Sequence, residues 1–278
     1  MPAPVIRLGC AGWSYKDWDG TFYPKGLPAA QQLGFYAQEF DCVEIDSTFY
    51  AIPAVAMVNG WAAKTPEGFL FSPKFPRVVT HDKELHGADA EVGLYLERMC
   101  LLGEKLGPML IQMAPSFRAA HFERTAQFLQ RLPRQRPDGG RLEYAIEFRH
   151  RSWATEETQA MLRERGVCLA AGAADVGAQG AAPRLPSASL GTSRSGSPSP
   201  ALPVTADFAY VRFLGRRDRI NKFDAIQIDR SCEHAEWLES IRNLVRNTGR
   251  VFAFWNNHWA GHSPQSVRDF RQLLHSAP

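Results

Sequence analysis

Strand-like and helix-like segments alternate along the whole 278-residue chain, and this alternation restricts the fold more than any other feature. Short apolar runs predict eight strands, and helical spacing of apolar residues fills most of the gaps between them. The predicted strands are Val5–Cys10, Cys42–Asp46, Phe69–Lys74, Met109–Met113, Leu142–Phe148, Val167–Ala171, Ala209–Phe213 and Val251–Trp255. The predicted helices are Pro28–Phe40, Pro53–Lys64, Ala88–Leu106, His121–Leu132, Thr155–Arg165, His234–Val245 and Pro264–His275. Eight such units predict an α/β fold, a single (β/α)8 TIM-type barrel domain over residues 1–278.

The alternation is interrupted by the stretch Gly172–Pro203, which is rich in Ala, Gly, Ser and Pro and has no hydrophobic period. We expect residues 172–203 to form a long loop insertion that partly replaces the helix after the sixth strand. This loop either covers one mouth of the barrel or is a tolerated surface insertion. An open, doubly wound sheet is the alternative fold. Its dinucleotide-binding version has little support, because no Gly-x-Gly-x-x-Gly motif follows the first predicted strand.

The composition is that of a folded globular protein, with 45% hydrophobic and 22% charged residues. A net charge of +3 is only weak evidence for a nucleic-acid partner. The cysteine count of five is odd and includes no Cys-x-x-Cys spacing, which predicts reduced, buried thiols. The chain shows no signal-peptide-like apolar region and no apolar run long enough to span a bilayer. We therefore expect a cytoplasmic protein without membrane contact.

The predicted fifth strand has an unusual distribution of charge. Its apolar side carries Tyr144, Ile146 and Phe148, whereas its other side carries Glu143, Ala145, Glu147 and Arg149. A strand that packs beneath helices has no solvent for a charged side to face, so these side chains should point into a barrel interior or a cleft. Buried charges are costly unless they are paired, and they are frequent at functional sites.

The same alternation directs polar side chains of four further predicted strands inward, mostly near their carboxyl ends. The predicted inner set is Glu44, Asp46, Lys74, Gln112, Glu147, Arg149 and Arg212. Its three carboxylates and three cations form either a functional site or an ion-pair network that only holds the strands together. Buried ion pairs stabilise a fold poorly compared with apolar residues, so we favour the functional interpretation.

The segments that follow the strands add cationic, aromatic and amide side chains. The candidates for ligand binding outside the inner set are Trp13, Tyr50, His81, Trp153, Arg216, Asn256 and Asn257. Clustered cations favour an anionic ligand, and aromatic rings beside amides suit a planar or sugar-like one. Each of these residues also has a structural explanation, either a solvated charged rim or rings that close the mouth of the barrel.

These strand-end motifs resemble the YecE-like family, also called domain of unknown function 72. The matching segments are Gly9–Ser14, Phe22–Pro24, Val43–Tyr50, Trp61, Thr65–Pro66, Phe69–Lys74, Thr80–His81, Glu147–Trp153, Tyr210–Arg212, Gly215–Arg216, Asn256–Asn257 and Gly261–His262. The resemblance covers nearly the whole chain in order. It implies a TIM-type barrel and no established activity. Two departures are Leu214, where the family resemblance implies a histidine, and the length of the Ala/Ser/Pro-rich insertion.

We predict a metal-independent enzyme that acts on a small phosphorylated or carboxylated ligand at the C-terminal mouth of the barrel. Glu147 is the predicted general acid or base. Lys74, Arg149 and Arg212 are expected to hold the anion or a developing oxyanion, with Gln112 among the ligand-binding groups. Glu44 and Asp46 are expected to orient these cations or to transfer a second proton. Neither a cofactor nor a metal is predicted, because the histidines are scattered and the cations would repel a metal ion.

Two other function classes stay open. One is a non-catalytic protein that binds a phosphorylated metabolite or a nucleic-acid end. The other is a metal-dependent barrel hydrolase or isomerase. A two-carboxylate glycosidase has less support, because Glu44 and Glu147 come from the second and fifth predicted strands, which is not the usual placement in barrel glycosidases.

Overall fold

The structure is a computed structural model that describes residues 4–174 and 202–276. Within these residues, the nine strands are β1 (Val5–Ala11), β2 (Cys42–Ile45), β3 (Leu70–Pro73), β4 (Met109–Gln112), β5 (Tyr144–Glu147), β6 (Cys168–Leu169), β7 (Ala171–Ala174), β8 (Ala209–Leu214) and β9 (Arg250–Trp255). The seven α-helices of the same part of the chain are α1 (Ala29–Glu39), α2 (Val55–Ala63), α3 (Asp89–Cys100), α4 (Phe122–Arg131), α5 (Glu156–Glu164), α6 (Ser231–Thr248) and α7 (Ser263–Ser276). None of these helices is both long enough and apolar enough to cross a membrane.

The strands form two parallel sheets. The larger sheet has six strands in the order β3-β2-β1-β9-β8-β7, and the smaller has three in the order β4-β5-β6. Between β3 and β4, parallel bridges join Lys74 to Leu110 and Phe71 to Leu106. Between β6 and β7 only Ala170 intervenes, so one run of chain pairs first with β5 and then with β8. The predicted α/β fold with parallel strands and intervening helices is confirmed.

The apolar core consists of two clusters on opposite sides of the strands. The larger cluster lies between strands and helices, where Phe213 of β8 stacks on Trp255 of β9 and both rings contact Phe270 of α7. The smaller cluster contains side chains from both sheets: Cys42, Leu110, Ala145, Cys168, Ala170, Phe208, Tyr210, Phe252 and Phe254. Alternate residues of a strand therefore contribute to different clusters, and both faces of the strand are buried.

The predicted sixth strand is wrong in its limits, because Ala170 divides it and β7 continues to Ala174. Three residues assigned to the long loop, 172–174, therefore belong to a strand. Residues 175–201 of that predicted loop lie outside the described residues. The predicted helix Ala88–Leu106 is also too long, since α3 ends at Cys100 and Gly103 adopts a left-handed φ of +55° that a helix does not continue.

Two local predictions can be compared with side-chain positions. Thr155 caps α5 as predicted, with its hydroxyl accepting a hydrogen bond from the Thr158 backbone N–H at 3.2 Å. The prediction of buried thiols holds for Cys10, Cys42 and Cys168 and holds only in part for Cys100, which is half-buried. It is wrong for Cys232, which is exposed at the start of α6. Cys232 follows no strand pattern, so burial inferred from the strand cysteines does not extend to it.

Candidate functional site

Arg212 of β8 is the centre of a buried ionic cluster. Its Nε and Nη2 donate hydrogen bonds of 2.8 Å to the two carboxylate oxygens of Glu44, on β2. Its Nη1 donates a hydrogen bond of 2.5 Å to Glu147 Oε2, on β5. The exposed fraction is 2% for Arg212, 0% for Glu44 and 2% for Glu147. One guanidinium thus joins carboxylates from both sheets, and these two anions raise the Arg212 pKa against the lowering effect of burial.

Glu44 has one further hydrogen bond and one further ion pair besides its contacts with Arg212. The hydroxyl of Tyr210, two residues before Arg212 on the same side of β8, donates to Glu44 Oε2 at 2.8 Å. Lys74 Nζ lies 3.5 Å from Glu44 Oε1. The fully buried carboxylate is therefore surrounded by donors, and its negative charge is compensated in place.

Glu147 is held between two arginines and an amide. Burial by itself would raise its pKa, but Arg212, Arg149 and the hydrogen bonds to this carboxylate outweigh burial and lower the pKa to about 2. Gln112 Nε2 donates one of these hydrogen bonds, to Glu147 Oε1 at 2.9 Å. Glu147 is therefore ionised at neutral pH and is a weak base in the free protein.

Lys74 and Asp46 lie at the more exposed side of the cluster. Lys74 Nζ forms a close ion pair with Asp46 Oδ1, immediately beyond the ends of β3 and β2. The Asp46 side chain is 29% exposed, in contrast to the buried Glu44. Burial favours a higher Asp46 pKa, but Lys74 and Arg212 outweigh it and lower the pKa. Asp46 and, to a smaller extent, Lys74 are therefore more accessible to solvent than Glu44 and Arg212.

Arg149 is the cation of the cluster with unused donors. Its Nε lies 3.4 Å from Glu147 Oε1 but is buried without a hydrogen-bond partner among the described residues. The side chain is 23% exposed. Burial lowers the Arg149 pKa and Glu147 raises it, with a further lowering by Arg212 and the exposed Arg217. A guanidinium in this position can accept an anion on its free donors without breaking a hydrogen bond.

Two predicted ligand-binding aromatics pack into the core instead of the cluster. Trp153 is 1% exposed, its ring stacks on Phe148 at 4.0 Å, and its Nε1 donates to the Phe117 carbonyl at 2.9 Å. Trp13 makes edge contacts with Trp61 of α2 and Phe71 of β3. Both rings support the layer between strands and helices, and nothing in these contacts places them at the ionic cluster.

The other predicted ligand-binding residues lie around the cluster or in local turns. Tyr50 is 74% exposed, and its ring contacts Phe49. Arg216 pairs with Asp218, two residues along the chain. His81, whose pKa responds to Arg149, is half-buried in the segment after β3.

Asn256 and Asn257 are occupied by hydrogen bonds within the turn after β9. Asn256 Oδ1 accepts a hydrogen bond from the His258 backbone N–H at 2.8 Å. Asn257 is buried, and its Oδ1 accepts from Ser263 and from Trp18 Nε1. Both amides therefore fix the connection from β9 to α7.

The family model described as "Protein of unknown function DUF72" matches residues 7–278. The chain belongs to the DUF72 family. The resemblance drawn from the strand-end motifs is therefore confirmed. Neither this description nor the names of the relatives given below states an activity, so membership of the family identifies no substrate.

Relatives of this DUF72 protein occur in Escherichia coli and Bacillus subtilis. It is 30% identical over 168 residues to the UPF0759 protein YecE of Escherichia coli K12, a region that covers 59% of this chain but only 57% of YecE. It is 23% identical over 290 aligned residues to the UPF0759 protein YunF of Bacillus subtilis, covering 97% of this chain and 95% of YunF.

Crystal structures of DUF72 proteins have the same fold. The protein from Thermotoga maritima has a TM-score of 0.74 and 25% identity, with 98% of this chain and 99% of that chain covered. The protein from Enterococcus faecalis has a TM-score of 0.70 at 20% identity, with both chains covered completely. The second comparison bears on the fold alone.

Sequence reasoning placed Tyr210 on the inner side of its strand but left it out of the site of this DUF72 protein. The signal was its spacing of two from Arg212, which puts both side chains on one face of β8. In the described parts of the chain, no group of three or more His, Cys, Asp or Glu residues is arranged to hold a metal ion. Leu214, the departure from the family pattern, ends β8 and is half-buried.

Proposed function

We propose that this protein is a metal-independent enzyme that binds a small anionic ligand and transfers protons at the carboxyl ends of its strands. We also propose that its two sheets are parts of one closed (β/α)8 barrel. The bridges between β3 and β4, the single residue between β6 and β7, and the apolar cluster shared by both sheets support closure. In a closed barrel, the ionic cluster lies within the lumen and opens toward the catalytic face of this architecture.

The arrangement of Arg149 carries the anion-binding proposal. Arg212 and Lys74 are already bound to carboxylates, whereas Arg149 keeps a buried Nε without a hydrogen-bond partner in the described residues. Glu147 holds Arg149 at 3.4 Å without a hydrogen bond that an anion would have to break. A phosphate or carboxylate fits such a site, since a guanidinium fork binds two of its oxygens at once.

Asp46 and its partner Lys74 are the two titratable groups that supply the proposed proton transfer. Both lie just beyond the carboxyl ends of β2 and β3. They are adjacent and oppositely charged, and the Asp46 side chain is 29% exposed, whereas that of Lys74 is 10% exposed. Glu147 then serves mainly as a permanent negative charge that orients Arg149 and Arg212, because its pKa of about 2 makes it a weak base before a ligand binds. An anion on Arg149 weakens the influence of that cation on Glu147 and raises the Glu147 pKa toward a useful range.

The low pKa of Glu147 also favours a second candidate function, the binding of an anionic metabolite without turnover. Asp46→Asn separates the two functions, because Asp46 is one of the two proposed proton-transfer groups. In an enzyme that uses this carboxylate, the substitution lowers kcat strongly while ligand affinity changes little. In a binding protein it changes affinity alone. The ligands to screen are phosphorylated and carboxylated metabolites, by product formation and by calorimetry.

The anion site is tested first with inorganic phosphate and sulfate by titration calorimetry at constant ionic strength. We expect binding to the wild-type protein and at least a tenfold weaker affinity for Arg149→Gln. Arg77→Gln is the control, because Arg77 is exposed and already paired with Asp82 at 3.2 Å. Equal affinities of wild type and Arg149→Gln, or no binding of either anion, would overturn the proposal.

A further inference from the structure

Gln112 and Arg149 are both held against one oxygen atom of the ionic cluster. Gln112 Nε2 donates a hydrogen bond of 2.9 Å to Glu147 Oε1, and Arg149 Nε lies 3.4 Å from the same oxygen. Gln112 and Glu147 are also direct partners in the register of β4 and β5, so the pairing of the strands sets this contact. A small molecule can therefore contact the amide and the guanidinium at the same time.

The charge of Glu147 fixes the orientation of the Gln112 amide. Glu147 is ionised, because Arg212 and Arg149 both lie against it, and the oxygens of a carboxylate only accept hydrogen bonds. The NH2 group of Gln112 must therefore face Glu147, and the amide oxygen, Oε1, is directed elsewhere. Across residues 4–174 and 202–276, no group donates a hydrogen bond to Gln112 Oε1.

Solvent reaches the amide and the guanidinium but not the carboxylate between them. The Arg149 side chain is 23% exposed and Gln112 is half-buried, whereas Glu147 is buried. The Arg149 side chain donates no hydrogen bond within the described part of the chain. The site thus places cationic donors beside one neutral acceptor. A ligand that satisfies both needs an anionic group next to a hydrogen-bond donor.

A hydroxyl group fits this acceptor better than an ammonium group does. Arg149 and Arg212 lie 3.4 Å and 2.5 Å from the carboxylate of Glu147, and both would repel a further cation. Each oxygen of Glu147 already accepts a hydrogen bond, Oε1 from Gln112 and Oε2 from Arg212, so this carboxylate is not available to an ammonium group. A hydroxyl donates its single hydrogen to the amide oxygen without adding charge.

We infer that the ligand of this site is a phosphate or carboxylate with a hydroxyl group close to its anionic group, as in sugar phosphates and hydroxy acids. The inference rests on the proposed anion site. The anionic group binds the free donors of Arg149, and the neighbouring hydroxyl donates to Gln112 Oε1. Gln112 then distinguishes hydroxylated anions from their deoxy analogues, because an analogue without the hydroxyl displaces water from an amide oxygen to which it cannot donate.

Two pairs of probes test this preference by titration calorimetry of the wild-type protein. Glycerol 3-phosphate is compared with propyl phosphate, and lactate with propionate, because the members of each pair differ only in hydroxyl groups. We expect the hydroxylated member to bind at least tenfold more tightly in one pair or both. Equal affinities within both pairs, or binding of inorganic phosphate without any of the four probes, would overturn the inference and leave the anion site intact. Failure of all four probes, of inorganic phosphate and of sulfate to bind would overturn the anion site and this inference with it.

Gln112→Met tests the role of Gln112, because methionine has a similar length and lacks the amide. We expect the preference for the hydroxylated probe to fall to about twofold or less, with the deoxy probe bound within about threefold of wild type. Gln127→Met is the matched control, since Gln127 Nε2 also donates to a glutamate, Glu123 at 2.8 Å, but on the exposed surface of α4. It should keep the wild-type preference. If Gln112 only positioned Glu147, Gln112→Met would weaken both probes alike and leave their ratio unchanged, and that result would overturn the assigned role.

Discussion

Arg212 donates two hydrogen bonds of 2.8 Å to Glu44, one to each carboxylate oxygen. The two residues are 168 positions apart in the sequence, and both are almost completely buried. Such a bidentate pair fixes the relative position of β8 and β2 in distance and in orientation. The third hydrogen bond of the same guanidinium, to Glu147, extends this constraint to the smaller sheet.

Replacing Arg212 should destabilise the fold strongly. Arg212→Met leaves Glu44 and Glu147 buried without their main counter-charge, which costs roughly 3–5 kcal/mol in the free energy of unfolding. Urea denaturation followed by circular dichroism measures this change. The control is Arg7→Met, which breaks the exposed pair of Arg7 with Asp41 and should cost less than about 1 kcal/mol. Similar losses in the two variants would contradict the assigned role of Arg212.

The low pKa of Glu147 predicts a pH-dependent contribution to stability. Its pKa falls from 4.5 to about 2 on folding, so the folded state binds this proton less readily than the unfolded state. The contribution is complete above about pH 5 and is lost as the pH falls from about 4.5 toward 2, with a total of about 3 kcal/mol. We expect Glu147→Gln to be less stable than wild type at pH 7, with a difference that narrows in acid.

Denaturant unfolding at a series of pH values between about 7 and 3 checks this expectation. Glu67→Gln provides the comparison, because Glu67 is exposed. Its stability should follow the wild-type pH profile. A Glu147→Gln profile that runs parallel to wild type through the acid range would show that Glu147 carries no such linkage.

Trp153 should behave as a core residue in substitution experiments. Trp153→Phe keeps the stack on Phe148 but loses the hydrogen bond from Nε1 to the Phe117 carbonyl. We expect a loss of about 1–2 kcal/mol in unfolding free energy and a sulfate affinity within twofold of wild type. A tenfold loss of sulfate affinity at unchanged stability would instead assign Trp153 to the ligand site.

Gly215 should not tolerate a methyl group. A Cβ on Gly215 would lie 1.5 Å from the His258 carbonyl oxygen, so Gly215→Ala forces two backbone segments apart. We expect a loss of roughly 1–3 kcal/mol in unfolding free energy. The matched substitution is Gly93→Ala in α3, where no atom of the described residues lies within 4 Å of the added Cβ. It should stabilise the protein by about 0.5–1 kcal/mol. Equal effects in thermal unfolding would refute the close approach at Gly215.

The sequence predicted that Glu44, Lys74, Glu147 and Arg212 lie close together. Successive side chains of a strand point to opposite faces, so odd or even position in the strand (its parity) determines the direction of each side chain. Apolar residues at the alternate positions define the strand face that packs against helices. The charged side chains between them must therefore point to the opposite face. The same rule includes Tyr210, which contacts Glu44. Parity does not specify which oxygen pairs with which nitrogen, and so it could not identify Arg149 as the cation with free donors.

The directions of Trp13 and Trp153 could not be predicted in this way. Both follow strands, in segments without a regular repeat, where residue type does not determine the direction of a ring. Trp153 turns back onto Phe148 because a large ring gains more from burial and stacking than from contact with water. The limits of β6 and β7 were missed for a related reason, since small residues such as Ala170 and Gly172 carry little hydrophobic signal.

Arg212 joins two carboxylates, and in the order of synthesis Glu44 and Glu147 both precede it. Until Arg212 has been synthesised, both carboxylates lack the guanidinium that makes their burial acceptable. We therefore expect the nascent polypeptide to bury these two carboxylates only after β8 has been synthesised. The position of Arg212 late in the sequence would then set the order of folding during translation.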